Sequence, residues 1–451
     1  MQSKLKNLTE EQTSAYKKFL GFLLSEEKEF YLFGKAGSGK TYLVQYLLKN
    51  ARKEYINTAK LLGLKYQNYA IELTAPTHKA VDALSKATNK PAKTIFSFMN
   101  IGVTDENDLS KLNTKNVNDF SSTLLFIDEC SMLSKEVIDL IRKHSHKSKI
   151  VFIGDNYQLP PVNENPHWNN TPEKVTVNLT GSIRNKDSEH LQNLCAQMRE
   201  TVDTLQFNKI KLYENSINQL SDEEAVEWLK GADTPNKAIL CYTNEKVSQY
   251  VKHFKRTEPE RINLIAGNTY SLNNALKGAR CLCVTCFPNT IVKIEKIEPP
   301  KLVELKNGVS IRASKAVLSY SSCANSNFDR QITTLVIEDP LEYQVALKLS
   351  ARYALSAKGE SRPWDTYYYL KYSFADLRPT FITTVHKSQG STYDEVLIDL
   401  DSFNKCKDPK VAARLLYVAV SRAKSKVNFY STVPCKYGEL VNAPNELPLF
   451  N

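Results

Sequence analysis

Eight consecutive residues, Gly34-Lys-Ala-Gly-Ser-Gly-Lys-Thr41, carry the most specific chemistry in the chain. They follow an apolar run and open a stretch with Leu43, Val44, Leu47 and Leu48 on one face. In that setting Gly34, Ala36, Gly37, Ser38 and Gly39 let backbone N–H groups turn inward around phosphate oxygens, and the next helix adds its positive end. Lys40 then reaches the β- and γ-phosphates, and the Thr41 hydroxyl takes a Mg²⁺ position. Such a metal needs a second acidic group, which Thr123-Leu-Leu-Phe-Ile-Asp-Glu129 supplies at the end of an apolar strand. Asp128 would hold Mg²⁺ through water while Glu129 orients and deprotonates an attacking water. A further strand ends in Gly154-Asp-Asn-Tyr-Gln158, where the Gln158 amide is placed to sense the γ-phosphate. The plain alternatives are a glycine turn and a solvated Asp-Glu turn. Order and context favour phosphoryl hydrolysis.

Groups of this kind belong at the ends of parallel strands covered by helices. The first 160 residues alternate short apolar runs with amphipathic segments, and predict strands at Phe30–Phe33, Ile71–Thr74, Thr123–Ile127 and Lys149–Ile153. The same style returns at Ala238–Tyr242, Thr380–Val385, Glu395–Ile398 and Lys426–Phe429, so two α/β domains of similar build are expected. A long insertion from about Arg261 to Phe374 interrupts the second. There, apolar and polar residues alternate on both sides of Asn307-Gly308, which predicts a type I′ hairpin. Runs at Thr290–Ile297 and Lys315–Leu318 suggest a small antiparallel barrel, and a helix follows Asp339-Pro340 with Leu341, Val345, Leu347 and Leu349. A polar segment, Lys93 to Asp119, is expected to project from the first domain.

Length and composition agree. At roughly 100–200 residues per domain, 451 residues make two to four domains. The 42% hydrophobic and 24% charged residues describe a globular chain, and no apolar run has the ~18 residues of a membrane span. The start, MQSKLKNLTE, lacks a signal-peptide core. Sixty basic against 49 acidic residues leave a net charge of +11, which permits a polyanionic partner. Nine scattered cysteines read as reduced thiols, and Cys281, Cys283 and Cys286 as a strand face rather than a metal site. His144 and His146 read as a solvated helix end, and Arg142, Lys143, Lys147 and Lys149 as a solvated face. Trp364, Tyr367, Tyr368, Tyr369, Tyr372 and Phe374 fall at near-helical spacing; packing against the barrel is favoured over a stacking platform.

In order, these motifs resemble the superfamily 1 helicases, in the branch of RecD-like and Dda-like enzymes. Leu8-Thr-Glu-Glu-Gln12 is similar to the adenine-reading Q motif, with Gln12 on the base. Ala75-Pro-Thr-His-Lys79 resembles motif Ia, Thr94-Ile-Phe-Ser97 motif Ib, Asp128-Glu129 motif II and Gly154–Gln158 motif III. Leu179-Thr-Gly-Ser-Ile-Arg184 is similar to motif IV, although Gly181 stands where an acidic or amide residue is usual. Thr383-Thr-Val-His-Lys-Ser-Gln-Gly390 and Tyr417-Val-Ala-Val-Ser-Arg422 closely match motifs V and VI. The resemblance spans residues 8 to 430.

It implies an α/β fold of two RecA-like parallel-sheet P-loop domains, with a small SH3-like β-barrel plus helical insertion in the second. The expected division is 1–92 with 120–176 (domain 1A), 93–119 (a strand-separating segment, 1B), 177–260 with 375–451 (domain 2A) and 261–374 (insertion 2B). Bound ATP and Mg²⁺ would meet Lys40, Glu129, Gln158, Arg184 and Arg422 as catalytic groups, with Gln389 and Gly390 also at the nucleotide. Arg184 and Arg422 would cancel charge spreading over the γ-phosphoryl oxygens. Single-stranded DNA would run over Pro76, Thr77, His78, Thr94, Phe96 and Ser97 in the first domain. In the second it would meet Thr243, Asn244, Thr384 and His386. Phe96 replaces a histidine of the Dda-like pattern, and each of these residues taken singly has the alternative of an ordinary strand-end hydrogen bond or helix N-cap. Also by resemblance, the aromatic stretch braces the strand-separating segment. The expectation is an ATP-dependent, 5′-to-3′ DNA helicase. It would act as a cytoplasmic monomer in a bacterial or phage-infected cell, on single strands and junctions, alongside single-strand-binding or replication proteins. An RNA helicase of the same superfamily and a non-catalytic nucleic-acid-binding protein stay open.

Overall fold

The computed structural model describes residues 8–106, 109–114, 116–161, 164, 168, 171–181, 188–231, 236–257, 263–277, 284–286, 288, 290–306, 308–320, 330–357 and 362–442. The chain divides into two compact units, Met1–Gly231 with Ile239–Tyr242 and Thr384–Asn451, and Ala232–Ala238 with Thr243–Thr383.

The first unit holds a six-stranded sheet in the order Thr176–Leu179, Glu29–Gly34, Lys149–Gly154, Thr123–Ile127, Ala70–Ala75, Lys93–Thr94. Every pairing in it is parallel. Residues 123–127 and 149–154 are buried throughout, which is why they read as unbroken apolar runs. Helices Glu10–Leu24, Lys40–Leu61, His78–Thr88 and Lys135–His144 accompany them. Their starts are set locally: Thr9 and Gln12 form a capping box, and Thr77 and Ser134 each accept a first-turn N–H. Aromatic rings fill the core, with Phe19 edge-on to Phe30 at 5.3 Å and Tyr31 stacked on Phe152 at 5.6 Å. Each such ring contributes about 1.5–3 kcal/mol by burial. Gly102–Glu106 and Leu109–Asn113 form an antiparallel hairpin inside 93–119.

A second sheet has the order Ile217–Leu220, Ala423–Tyr430, Tyr393–Asp399, Lys237–Cys241, Ile382–Thr384. The strand predicted to reach Val385 stops at Thr384, because the Thr384 hydroxyl caps a short helix, Val385–Ser388. The observed architecture is thus α/β and mostly parallel.

The second unit is built on a mainly antiparallel sheet of order Phe374–Ala375, Arg330–Ile337, Ser310–Tyr320, Ile291–Ile297, Thr269–Leu272, Leu377–Arg378, in which only the first pairing is parallel. Lys301–Glu304 also pairs with Ser310–Tyr320. Both edge strands come from one stretch, residues 374–378, so a single short segment closes on both sides of the sheet. The hairpin turn is one residue longer than predicted. Leu305 donates to Val309 O, Gly308 donates to Leu305 O, and Gly308 takes φ +76°, the left-handed position that ends a three-residue loop. Asn307, Cys281 and Cys283 lie outside the described residues, while Cys286 ends a short strand and is buried.

Helix Pro340–Ser356 faces the core with Tyr343, Ala346, Ser350 and Ala354, and leaves Leu341, Val345 and Leu349 about half exposed. Small residues let the helix approach closely, so its larger apolar positions point outward. Of Asp365–Ser373 only Leu370 is buried, packing with Phe374 against Ile311 and Ile337, while Tyr368 and Tyr369 are exposed.

One surface reading is corrected. Lys149 is 6% exposed, and its ammonium donates to Phe22 O, Ser25 O and Glu27 O at 2.6–2.9 Å, satisfying carbonyls at the end of the first helix. Arg142 pairs with Glu29 at 2.7 Å. His144 ends its helix on an exposed surface as expected, and there His144 Nδ1 and His146 Nε2 both lie on one Asp119 oxygen, at 2.7 and 3.3 Å.

Candidate nucleotide site and nucleic-acid-facing residues

Three functional turns leave one edge of one sheet. Glu29–Gly34, Lys149–Gly154 and Thr123–Ile127 are parallel neighbours, so the loop 34–41, the turn 155–158 and Asp128-Glu129 all follow C-terminal strand ends. Glycine is required where the backbone turns: Gly37 and Gly39 sit at φ +79° and +83°. At Gly34 a Cβ would lie 2.6 Å from Ser38 Oγ and 2.8 Å from Leu179 O. Lys40 Nζ donates to Gly34 O at 2.6 Å and to Lys35 O at 3.0 Å, so its charge is held across the mouth of the loop. Thr41 is the second residue of the following helix.

Asp128 Oδ1 accepts from Glu129 N at 2.9 Å. Burial pushes the Asp128 carboxyl up to about 7; the Glu129 charge adds to this, while Lys40 and the Glu129 N–H oppose it. Lys40 only partly compensates the buried Asp128 charge, and further positive charge, as a divalent cation would bring, suits such a carboxyl. Glu129 itself is left-handed, φ +51°, a costly conformation for a non-glycine residue and one found where side chains are aimed for chemistry. Gly154 packs so tightly behind it that an added Cβ would meet Cys130 Sγ at 2.8 Å.

Several buried polar atoms in the candidate motifs have no partner among the described residues, namely Ser38 Oγ, Ser131 Oγ, Asn156 Oδ1, Gln158 Oε1 and Gln389 Nε2, and the same holds for Trp168 Nε1, Ser216 Oγ and Asn428 Nδ2 outside them. Buried amides and hydroxyls are nearly always satisfied, so unpaired ones in three nucleotide motifs and beside Asp128 suit a site built for a polar ligand. Gln12 is buried; its Nε2 donates to Gly39 O at 3.4 Å and its Oε1 accepts from Thr9 N, so the residue expected at the base also ties the first helix to the loop. Its neighbour Glu11 accepts from Thr180 N and Gly181 N at 3.0 and 3.2 Å, a contact that sequence reasoning missed. Arg184 lies outside the described residues, which resume at Ser188.

Arg422 is 2% exposed. Its guanidinium donates to Val418 O, Ser391 O and Ser421 Oγ at 3.0–3.2 Å, and among the described residues no carboxylate pairs with it. Lys79 lies close enough that the Arg422 charge adds to burial in pushing its ammonium down to about 8. An ordinary surface ion pair is therefore not what Arg422 forms. Gln389 is 8% exposed and Gly390 takes φ +75°.

Among the expected DNA contacts, Thr77, Thr94, Thr243 and Thr384 all cap helices, each hydroxyl accepting an N–H at 3.1–3.4 Å. Pro76 is buried, Ser97 exposed, and Phe96 half-buried against the core rather than presented as a free stacking face. His78 is half-buried, its imidazole pushed down to about 4 by burial, and burial lowers His386 as well. The His386 ring lies 6.3 Å from that of Tyr242. Thr243 and Asn244 belong to the second unit, where Asn244 is exposed. Among the described residues no helix is long and apolar enough to cross a membrane.

Two family models match: an AAA domain over residues 22–164 and a UvrD-like helicase C-terminal domain over 379–430. With the motif order, these matches make the chain similar to the superfamily 1 helicases of the RecD-like and Dda-like branch. Relatives of similar length agree. An uncharacterized protein R530 of Acanthamoeba polyphaga mimivirus is 24% identical over 93% of this chain and 99% of its own. The ATP-dependent DNA helicase dda of Enterobacteria phage T4 is 22% identical over 94% and 99%. A solved Pif1 helicase from Bacteroides, in complex with ADP-AlF3 and ssDNA, aligns over 96% of this chain and 94% of its own with 17% identity and a TM-score of 0.47.

Proposed function

We propose that this chain is an ATP-dependent DNA helicase that moves 5′ to 3′ along single-stranded DNA and opens duplex ahead of it. The carrying observation is the shared sheet edge from which the 34–41 loop, Asp128-Glu129 and Gln158 emerge, with buried amide and hydroxyl groups left unpaired among them. The phage helicase matched over nearly its whole length supports DNA as the track. Lys40 exchanges its carbonyl partners for phosphate oxygens, Glu129 takes a proton from the attacking water, and Gln158 registers the terminal phosphate. Thr41 and Asp128 would hold Mg²⁺, which when bound neutralises charge on the β- and γ-oxygens. Arg184 and Arg422 complete the neutralisation. The proposed DNA contacts are the threonine-capped helix starts at 77, 94 and 384 with His78 and His386 in the first unit, and Thr243 with Asn244 in the second. Backbone contacts of that kind tolerate any sequence.

We infer the fourfold division 1–92 with 120–176, 93–119, 177–260 with 375–451, and 261–374. The hairpin within 93–119 supports the strand-separating segment. The closure of both sheet edges by residues 374–378 supports an SH3-like barrel in the last part, whose edge strands run a few residues past 374.

Steady-state ATPase with and without poly-dT or poly-U, for wild type and Glu129→Gln, tests the proposal. Turnover stimulated by poly-dT and abolished by Glu129→Gln, with ATP and DNA binding retained, is expected. Stimulation by poly-U alone would move the substrate to RNA, and unwinding only from a 3′ overhang would remove the polarity.

A further inference from the structure

Three side chains from two helices fasten the turn that carries Gln158. Arg414 Nη1 donates to Asn156 O and, at 2.8 Å, to Gln158 O itself. Tyr417, one turn further along the same helix, donates its hydroxyl to Asp155 Oδ2 at 2.6 Å. Asp155 is fully buried, and its other oxygen accepts from Tyr157 N at 3.1 Å and faces Arg199 Nη1 at 3.6 Å. Arg199, from helix Glu189–Thr204, spreads over the Tyr157 ring at 3.9 Å, and Tyr157 donates to Asp203 at 2.9 Å. Main chain at Gln158 and in the residues just before it is thus tied down, while its amide oxygen stays buried and unpaired among the described residues.

The helix doing the fastening, Pro409–Val420, is buried from Leu415 to Val420, and two residues beyond it comes Arg422. Six helical residues, Leu415–Val420, follow Arg414, about 9 Å at 1.5 Å per residue, and Ser421 alone separates the helix end from Arg422, whose N–H donates back to Ala419 O. A buried helix of that length moves as one body. The Gln158 turn therefore cannot shift without breaking the Arg414 bonds or carrying the helix, and with it Arg422.

We propose that Arg414, backed by Tyr417 and Arg199 through Asp155, is a positioning residue that sets Gln158 for the terminal phosphate and couples its movement to Arg422. The assignment rests on the ATPase reading above. It differs from packing alone, because a packing residue would act on stability and not through Gln158.

The test is single-strand-stimulated ATPase of the full chain. Arg414→Gln is expected to lower kcat about tenfold while KM for ATP stays within about twofold, and Arg414→Lys, which can still donate to one carbonyl, recovers part of the loss. Tyr417→Phe keeps the ring and is expected to cost about threefold in kcat. In a Gln158→Ala background Arg414→Gln should cost less than about twofold more, since both changes act through one amide. Unchanged kcat in Arg414→Gln, or losses that multiply fully in the double variant, overturn the proposal. Should Arg414→Gln fail to fold, the same cycle with Tyr417→Phe decides by the same criterion. A wild-type chain without stimulated turnover would instead remove the ATPase reading itself.

Discussion

Gly154→Ala should damage the site through one methyl group. The added Cβ would meet Cys130 Sγ at 2.8 Å and the N–H groups of Cys130 and Ser131 at 3.4 Å. Ordinary carbon contacts lie near 3.5–4.0 Å, so something must move by roughly 1 Å. Neither side yields easily: the 149–154 strand is buried along its length, and Cys130 is fully buried in the turn after Glu129. Overpacking of this kind costs about 1–3 kcal/mol, which in a unit of this size lowers the unfolding temperature by about 2–10 °C. The larger effect is on turnover. A shift near 1 Å in the turn that aims Glu129 is expected to lower kcat about 100-fold with ATP affinity retained. The cause can be isolated, since Cys130→Ala deletes the atom in the way. Differential scanning fluorimetry and steady-state ATPase on Gly154→Ala, Cys130→Ala and the double variant should show the double variant closer to wild type than Gly154→Ala in both. A Gly154→Ala protein with wild-type melting and turnover, or a double variant worse than both singles, refutes the packing argument.

Lys149→Met should cost about 1–3 kcal/mol in urea unfolding at pH 7, because the Ser25 and Glu27 carbonyls just after the first helix lose the Lys149 donor, while Phe22 O keeps Ser25 N and Oγ. Burial lowers the Lys149 ammonium from its ordinary 10.5 to about 8. Between those values the unfolded chain holds a proton that the folded one has released, so this residue makes stability rise with pH across the window. Lys149→Met should lack that rise. His78 should stay neutral down to about pH 4. Single-stranded DNA affinity, read by fluorescence anisotropy between pH 5 and 8, should therefore change with pH identically in wild type and His78→Gln.

What could be read in advance follows from range. The nucleotide loop is eight adjacent residues whose types dictate the local backbone, and the strands buried on both faces announce themselves as unbroken apolar runs. Strand ends carrying Asp128, Glu129 and Gln158 follow from those two facts. Contacts spanning the chain were invisible: Tyr417 and Asp155 are 262 residues apart, and nothing local marks Arg414 as the partner of Gln158. Lys149 looked like one member of a basic run because its partners are carbonyls, which leave no trace in side-chain pattern. Helix Pro340–Ser356 misleads for another reason. Its core face is lined by Ala346, Ser350 and Ala354, so its large apolar residues mark the outer side. Phe96 packs on the core although its neighbours cap and turn as a surface motif would.

Arg422 brings stability and function into conflict. Burying a guanidinium costs several kcal/mol, and three hydrogen bonds from this charged donor return about 1.5–3 kcal/mol each. With no carboxylate beside it among the described residues and Lys79 adding repulsion, the balance at Arg422 is near zero. Packing alone does not account for such an arrangement, but an arriving anion would. Arg422→Met keeps much of the volume and removes the charge. Under the proposed reading, its urea unfolding free energy should stay within about 1 kcal/mol of wild type or exceed it. Its ATP turnover should fall about 1,000-fold, the scale of a lost transition-state cation. The Lys79 ammonium should also move back toward its ordinary value once its neighbour is gone. A variant that loses about 4 kcal/mol or more while retaining turnover would instead make Arg422 a structural strut, because the carbonyls of Val418 and Ser391 would then outweigh any charge it lends.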